Sequence, residues 1–114
     1  MDGVLEKAAV QRAQAALIHH SISGKITVLA DSARTAAEAA AALGIEVGQI
    51  ASSIVFKLPD ESALLAITSG RHRVNTDLVT QQLEISSLGR ADADFVKSVS
   101  GYSVGGVSPI GWIT

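Results

Sequence analysis

Two short apolar runs separated by a tight turn constrain the fold more than any other feature of the sequence. The runs are "QIASSIVFK" (49–57) and "SALLAITSG" (62–70), and "PDE" lies between them. Runs of this length, rich in β-branched residues and joined by a Pro/Asp turn, are typical of a β-hairpin. We therefore expect residues 53–57 and 63–69 to form adjacent antiparallel strands.

A well-capped helix precedes this hairpin in the segment "TAAEAAAALG" (35–44). Thr35 and Glu38 have the spacing of a capping box, in which each residue satisfies a free backbone N–H of the other. Gly44 is suited to end the helix because glycine readily adopts the left-handed conformation. The alanine-rich surface over 36–43 permits close approach, so we expect this helix to pack against the sheet.

Other patterns complete a mixed α/β or α+β domain with a mixed sheet. Apolar residues at helical spacing predict helices over residues 2–18, 76–83 and 92–100. "KITVLA" (25–30) predicts one more short strand. With 114 residues and no linker or repeat, we expect residues 1–114 to form a single domain.

Composition excludes several classes of function. The chain has no cysteine, which excludes disulfides, thiolate catalysis and thiolate metal sites. A net charge of -2 excludes general electrostatic attraction to nucleic acid, so any RNA contact must use a local patch. No apolar run reaches the roughly 18 residues of a membrane span, and the N-terminus does not read as a signal peptide. We expect a cytoplasmic protein with no cofactor and no metal.

The segment "GYSVGGVSPIG" (101–111) concentrates four glycines and one proline in a short stretch. Gly101 suffices to end the preceding helix, but the pair Gly105 and Gly106 calls for another reason. Either the segment is an ordinary turn, or its backbone adopts positive φ or lies close to a ligand. We expect a pocket floor here, with Pro109 stiffening the loop and aiming its N–H groups. The G-x-S-x-G pattern around Ser103 lacks the preceding strand and later histidine of a serine-hydrolase elbow.

Charged and polar side chains elsewhere give weaker signals. The cluster "GRHR" (70–73) is the only tight basic run and is either a solvated turn or a contact to RNA phosphate. His19 and His20 are neighbours on a helix and diverge by about 100°, so we interpret them as helix-end residues rather than metal ligands. Lys57, at a strand end, is either solvent-facing or a buried amine with a tuned pKa.

Three collinear segments resemble the YbaK/ProX family of aminoacyl-tRNA deacylases, whose fold also occurs as the editing insertion of bacterial prolyl-tRNA synthetases. They are "TAAEAAAALGIEVGQIASSIVF", "LLAITSGRHRVN" and "ADADFVKSVSGYSVGGVSPIG". The resemblance spans about residues 26–111, and its most specific part is the G-x-x-x-P loop over 105–109.

The resemblance implies a mixed, largely antiparallel, barrel-like sheet flanked by helices. It also implies hydrolysis of the ester that joins a wrong amino acid to the terminal ribose of tRNA. The implied partners are the acceptor end of mischarged tRNA and an aminoacyl-tRNA synthetase. The implied catalytic positions are the family's lysine position and the loop glycines Gly105 and Gly106. The positions implied for substrate binding are Gly101, Val107, Ser108, Pro109 and Arg73.

The sequence departs from the family pattern in three places. Ser52 stands at the position of the family's lysine, and Lys57, five residues later, should point to the opposite face of the strand. The sequence ends at Thr114, where family members continue with further strands and a helix, so we expect the C-terminal strands to be lacking. Trp112 stands where close relatives often have a polar residue. Two hypotheses therefore remain: an editing hydrolase, or a non-catalytic module that binds an aminoacyl end or a partner protein.

Overall fold

The computed structural model describes residues 7–29, 35–104 and 106–113. Within these residues the chain forms helices, strands and one 3-10 helix. In chain order they are α1 (Ala8–His19), α2 (Ala36–Leu43), the 3-10 helix (Val47–Gln49), β1 (Ala51–Lys57), β2 (Ala63–Ser69), α3 (Thr76–Leu83), β3 (Gly89–Arg90) and α4 (Ala93–Ser100). None of these helices has the length and apolar character needed to cross a membrane, and this applies to the described part of the chain.

The predicted hairpin is confirmed. β1 and β2 pair antiparallel along their full lengths, from Ala51 opposite Ser69 to Lys57 opposite Ala63. β3 pairs antiparallel with the other edge of β1, but only opposite Phe56 and Lys57. The sheet order is therefore β2-β1-β3, and helices flank this antiparallel sheet.

The predicted ends of α2 are present, with one half of the capping box at its start and Gly44 at its end. The Thr35 hydroxyl accepts a hydrogen bond from the Glu38 N–H at 3.1 Å. Gly44 ends the helix with φ of 68°. The start of α2 lies very close to the end of β2, since a Cβ built on Gly70 would be 2.7 Å from the Ala36 Cβ. This contact holds one end of the sheet against the helix.

The best-buried side chains of the described residues centre on α4. Asp92 caps the helix by accepting from the Phe95 N–H at 2.8 Å, and Gly101 ends it with φ of 80°. Val96 and Tyr102 are 2% and 3% exposed. The buried Ser100 hydroxyl donates to the Val96 carbonyl, so its polar group carries no burial penalty. The loop that follows α4 therefore starts from a firmly packed helix.

Two sequence predictions need correction. Residues 25–29 of "KITVLA" do not form a strand, because no strand of the sheet lies beside them to pair with their backbone groups. The first helix begins at Ala8, and the predicted portion over residues 2–6 lies outside the described residues.

Candidate functional site

The glycine-rich segment and the first half of β1 enclose a cavity of about 380 Å³, which we call the loop cleft. The start of α2 forms its third wall. Thr35, Ala36, Ala39, Ile50, Ala51, Ser52, Ser53, Ile54, Ile67, Gly106, Val107 and Pro109 line it. The structure thus brings Ser52 together with Gly106, Val107 and Pro109, which the sequence analysis had placed in one site.

Ser52 lies at the boundary between the loop cleft and a second cavity. This second cavity, the arginine cleft, has a volume of about 390 Å³ and is lined in part by Thr68, His72 and Arg73. Ser52 is half-buried, and its backbone lies opposite Thr68 of β2. Its hydroxyl has no hydrogen-bond partner among the described residues, so it is free to meet a ligand from either cleft.

The two arginines of the basic cluster 70–73 differ in whether an acidic side chain lies close to the guanidinium. The Arg71 guanidinium lies 3.5 Å from a carboxylate oxygen of Glu46. Arg73 is exposed, lines the arginine cleft and forms no ion pair within the described part of the chain. Its charge is therefore the more available of the two for an anionic ligand.

The loop backbone differs from the sequence expectation in one respect. Gly101 and Gly111 have positive φ, at 80° and 75°, whereas Gly106 does not. The Gly106 N–H is already engaged, because it donates to the Ser103 carbonyl at 2.9 Å. The Val107 N–H has no partner among the described residues, and Val107 lines the loop cleft. Gly105 lies outside the described residues.

The other side of the same loop borders a third cavity of about 350 Å³, which we call the helix cleft. Val107, Ser108 and Pro109 contact it, together with residues of α1. The Ser108 hydroxyl accepts from the Ile110 N–H at 3.2 Å, and the Ser108 carbonyl accepts from the Trp112 indole N–H at 2.7 Å. Ser108 therefore serves the internal structure of the loop, and it does not line the loop cleft.

A family model described as "Aminoacyl-tRNA editing domain" matches residues 30–113, which contain all of the loop cleft. The chain belongs to this family. Membership gives it a role in aminoacyl-tRNA editing.

Solved structures share the fold, and one of them is described as an editing enzyme. A structure from computational epitope grafting onto scaffold proteins matches with a TM-score of 0.85 and 33% identity, over 95% of this chain and 69% of that one. A candidate trans-editing enzyme for prolyl tRNA synthetase matches with a TM-score of 0.83 and 37% identity, over 95% of this chain and 68% of that one. A hypothetical protein matches with a TM-score of 0.80 and 23% identity, over 89% and 67%, and that likeness concerns the fold alone. No curated protein matches.

Lys57 of this editing domain lies outside the loop cleft, so it does not substitute there for the family's lysine. Its ammonium lies 3.6 Å from a Glu61 carboxylate oxygen and 5.3 Å from the centre of the Phe95 ring. It lines neither the loop cleft nor the arginine cleft. The position is the solvent-facing strand end that the sequence allowed, with the lysine side chain 39% exposed.

The remaining polar signals are structural in this editing domain. Ser103 follows a helix and is exposed, so no serine-hydrolase elbow forms. His19 ends α1 and His20 caps it. No group of three or more potential metal ligands exists among the described residues. In the hairpin turn, the pKa of Asp60 is lowered because the hydroxyl and N–H of Ser62 donate to its carboxylate.

The sequence analysis did not identify Arg12, a residue of α1 that bonds to both ends of the glycine-rich loop. Its Nε donates to the Gly111 carbonyl and its Nη2 to the Gly101 carbonyl, both at 2.8 Å. One signal could have found it. Arg12 falls at helical spacing beside Ala9 and Ala16, on the stripe that faces the protein, where a charged residue needs a specific partner.

Proposed function

We propose that this editing domain is a hydrolase that cleaves the ester between a wrong amino acid and the terminal ribose of tRNA. The observation that carries the proposal is that Ser52 lines one cleft together with Gly106, Val107 and Pro109. The cleft combines a free hydroxyl with bare glycine backbone, and both are suited to a small polar ester.

The chemistry needs few protein groups. A water molecule loses one proton to the solvent as its oxygen bonds to the ester carbonyl carbon, which gives a tetrahedral oxyanion. The bond from this carbon to the ribose oxygen then breaks, the ribose oxygen takes up the second proton of the water, and the amino acid leaves as its carboxylate. A backbone N–H aimed at the developing oxyanion stabilises this path. We assign that role to the Val107 N–H and propose Gly106, together with Gly105 of the same motif, as the other catalytic positions of the loop.

The arginine cleft extends the proposed site toward the RNA. Arg73 would contact a phosphate of the acceptor end while the ester occupies the loop cleft, with Ser52 between them. Such contacts position the substrate without reading its sequence. With a tRNA substrate, an aminoacyl-tRNA synthetase would be a working partner and the cytoplasm the place of action.

The loop cleft contains no side chain that titrates near neutral pH among its described lining. Ser52 can donate one neutral hydrogen bond, whereas a lysine would add a full charge and a stronger, charge-assisted bond. We therefore expect the natural protein to be a slow hydrolase.

The same observation supports a second candidate function, a module that binds the aminoacyl end without cleaving it. The resemblance implies that Ser52 stands at the position of the family's lysine, and Lys57 is engaged with Glu61 outside the cleft. A binding module and a slow enzyme use the same cleft, and only turnover separates them.

The experiment is a deacylation assay over a panel of mischarged tRNAs, with the natural protein, Ser52→Lys and Ser87→Lys. Ser87 is exposed and lines none of the three clefts, so its substitution adds the same charge at a position outside the proposed site. We expect slow turnover by the natural protein and an increase of about 10-fold or more in Ser52→Lys, because a charge-assisted hydrogen bond is stronger than a neutral one. Binding of tRNA without turnover in the natural protein would favour the binding module.

A further inference from the structure

One guanidinium ties together the two ends of the glycine-rich loop. Arg12 lies on α1, far from the loop in sequence, and donates to the carbonyls of Gly101 and Gly111 at 2.8 Å each. Gly101 is the first residue after α4, and Gly111 follows the last residues that line the loop cleft. Arg12 therefore fixes the distance between the points where the loop leaves and rejoins the packed part of the protein.

Tyr102 reinforces the same junction from within the loop. Its hydroxyl donates to the Ile110 carbonyl at 2.9 Å, and it is only 3% exposed. The Arg12 guanidinium carbon lies 4.5 Å from the centre of the Tyr102 ring, within the range of a cation–π interaction. The charge of Arg12 is thus held by two carbonyl dipoles and one aromatic face.

The two glycines at this junction are required by the contacts themselves. A Cβ on Gly101 would lie 2.6 Å from Arg12 Nη2, and a Cβ on Gly111 would lie 2.7 Å from the Tyr102 hydroxyl. Both glycines also have positive φ, which disfavours side chains. Gly106, by contrast, has ordinary φ, and a Cβ there would meet only the Ser103 carbonyl at 3.7 Å. Gly101 and Gly111 make the close contacts at this junction possible, whereas Gly106 lines the loop cleft.

We propose that Arg12 is a positioning residue, which acts through the loop main chain to hold the Val107 N–H where the ester carbonyl binds. This inference rests on the proposed function of the loop cleft. Arg12 itself does not line that cleft. Arginine suits the task because its planar fork donates in two fixed directions at once, which an ammonium cannot do.

The test compares Arg12→Ala, Arg12→Lys and the control Gln14→Ala, which lies on the same helix and lines none of the described clefts. Deacylation kinetics, melting temperature and tryptophan fluorescence are measured for each protein. Trp112 is the only tryptophan of the chain, and its indole N–H donates to the Ser108 carbonyl, so its emission reports on this loop.

We expect Arg12→Ala to lose up to about 100-fold in kcat with a smaller change in KM, since a small displacement of a positioned group is enough for such a loss. Its Trp112 emission should shift to longer wavelength and be quenched more readily by acrylamide. Arg12→Lys should be intermediate, and Gln14→Ala should match the natural protein. Natural kcat and natural Trp112 emission in Arg12→Ala, measured well below its melting temperature, would overturn the proposal.

Two further measurements keep the test decisive. If Arg12→Ala does not fold, Arg12→Lys keeps the charge but lacks the planar fork that donates to both carbonyls, and unchanged kcat and emission in that variant would overturn the proposal. If the natural protein deacylates no tRNA, the proposed function fails, and the role of Arg12 is then read from binding of a non-hydrolysable aminoacyl-adenosine amide. Weaker binding and shifted emission in Arg12→Ala would support the positioning role, and unchanged binding would overturn it.

Discussion

Arg71 and Arg73 are close in sequence but differ in how their charges are compensated. Arg71 lies 3.5 Å from Glu46, whereas Arg73 has no ion pair among the described residues and lines the arginine cleft. We expect Arg73→Ala to weaken tRNA binding and to reduce the slope of log K against log salt by about 0.7–0.9, the value for one lost phosphate contact. Arg71→Ala is the matched control. Filter binding over a salt series checks this, and equal effects of the two variants would refute the assignment.

Single residues show how far the sequence could predict the site. Ser52 on β1 could be expected near Val107 and Pro109 of the loop, because the resemblance covers both segments and implies one site. The role of Arg12 could not be predicted, because it bonds to the main-chain carbonyls of Gly101 and Gly111. Every residue has such a carbonyl, so the sequence does not indicate which ones a side chain will contact.

The contact between α2, the 3-10 helix and the end of β2 depends on the absence of a side chain at Gly70. A Cβ on Gly70 would lie 2.5 Å from the Val47 carbonyl oxygen and 2.7 Å from the Ala36 Cβ. We expect Gly70→Ala to lower the free energy of unfolding by about 1–3 kcal/mol, as overpacking does. Gly24→Ala is the control, because a Cβ there meets only Ile22 at 3.9 Å. Urea unfolding followed by circular dichroism measures both, and equal stabilities would show that the contact relaxes freely.

Elements with local signals were predictable, and elements that depend on distant partners were not. The side chains of Thr35 and Asp92 accept hydrogen bonds from N–H groups in the first turn of their own helices. Their residue types therefore predict where these helices begin. β3 has only two residues and exists because it pairs with β1, so no pattern in its own sequence marks it. Residues 25–29 have strand-like composition without a neighbouring strand, and composition alone did not suffice.

At the scale of the whole molecule, the loop after α4 is the partition between two cavities. Gly106, Val107 and Pro109 contact both the loop cleft and the helix cleft, while the ends of the loop are held by α1 and α4. The domain therefore presents a narrow strip of backbone that is supported at its ends and accessible along its middle. With a net charge of -2, overall charge gives no general attraction to tRNA, so we expect tRNA to be held through this local site.

The most direct test of the account is the hydrolysis and binding of mischarged tRNA by Gly106→Val. The fold should tolerate the substitution, because a Cβ at Gly106 meets only the Ser103 carbonyl at 3.7 Å. Gly24→Val is the control, with a similarly open site. We expect Gly106→Val to keep the natural circular dichroism spectrum and to lose about 100-fold or more in deacylation, comparable to removal of an oxyanion donor. A folded Gly106→Val protein that binds and deacylates tRNA as well as Gly24→Val would contradict the assignment of the loop cleft as the site.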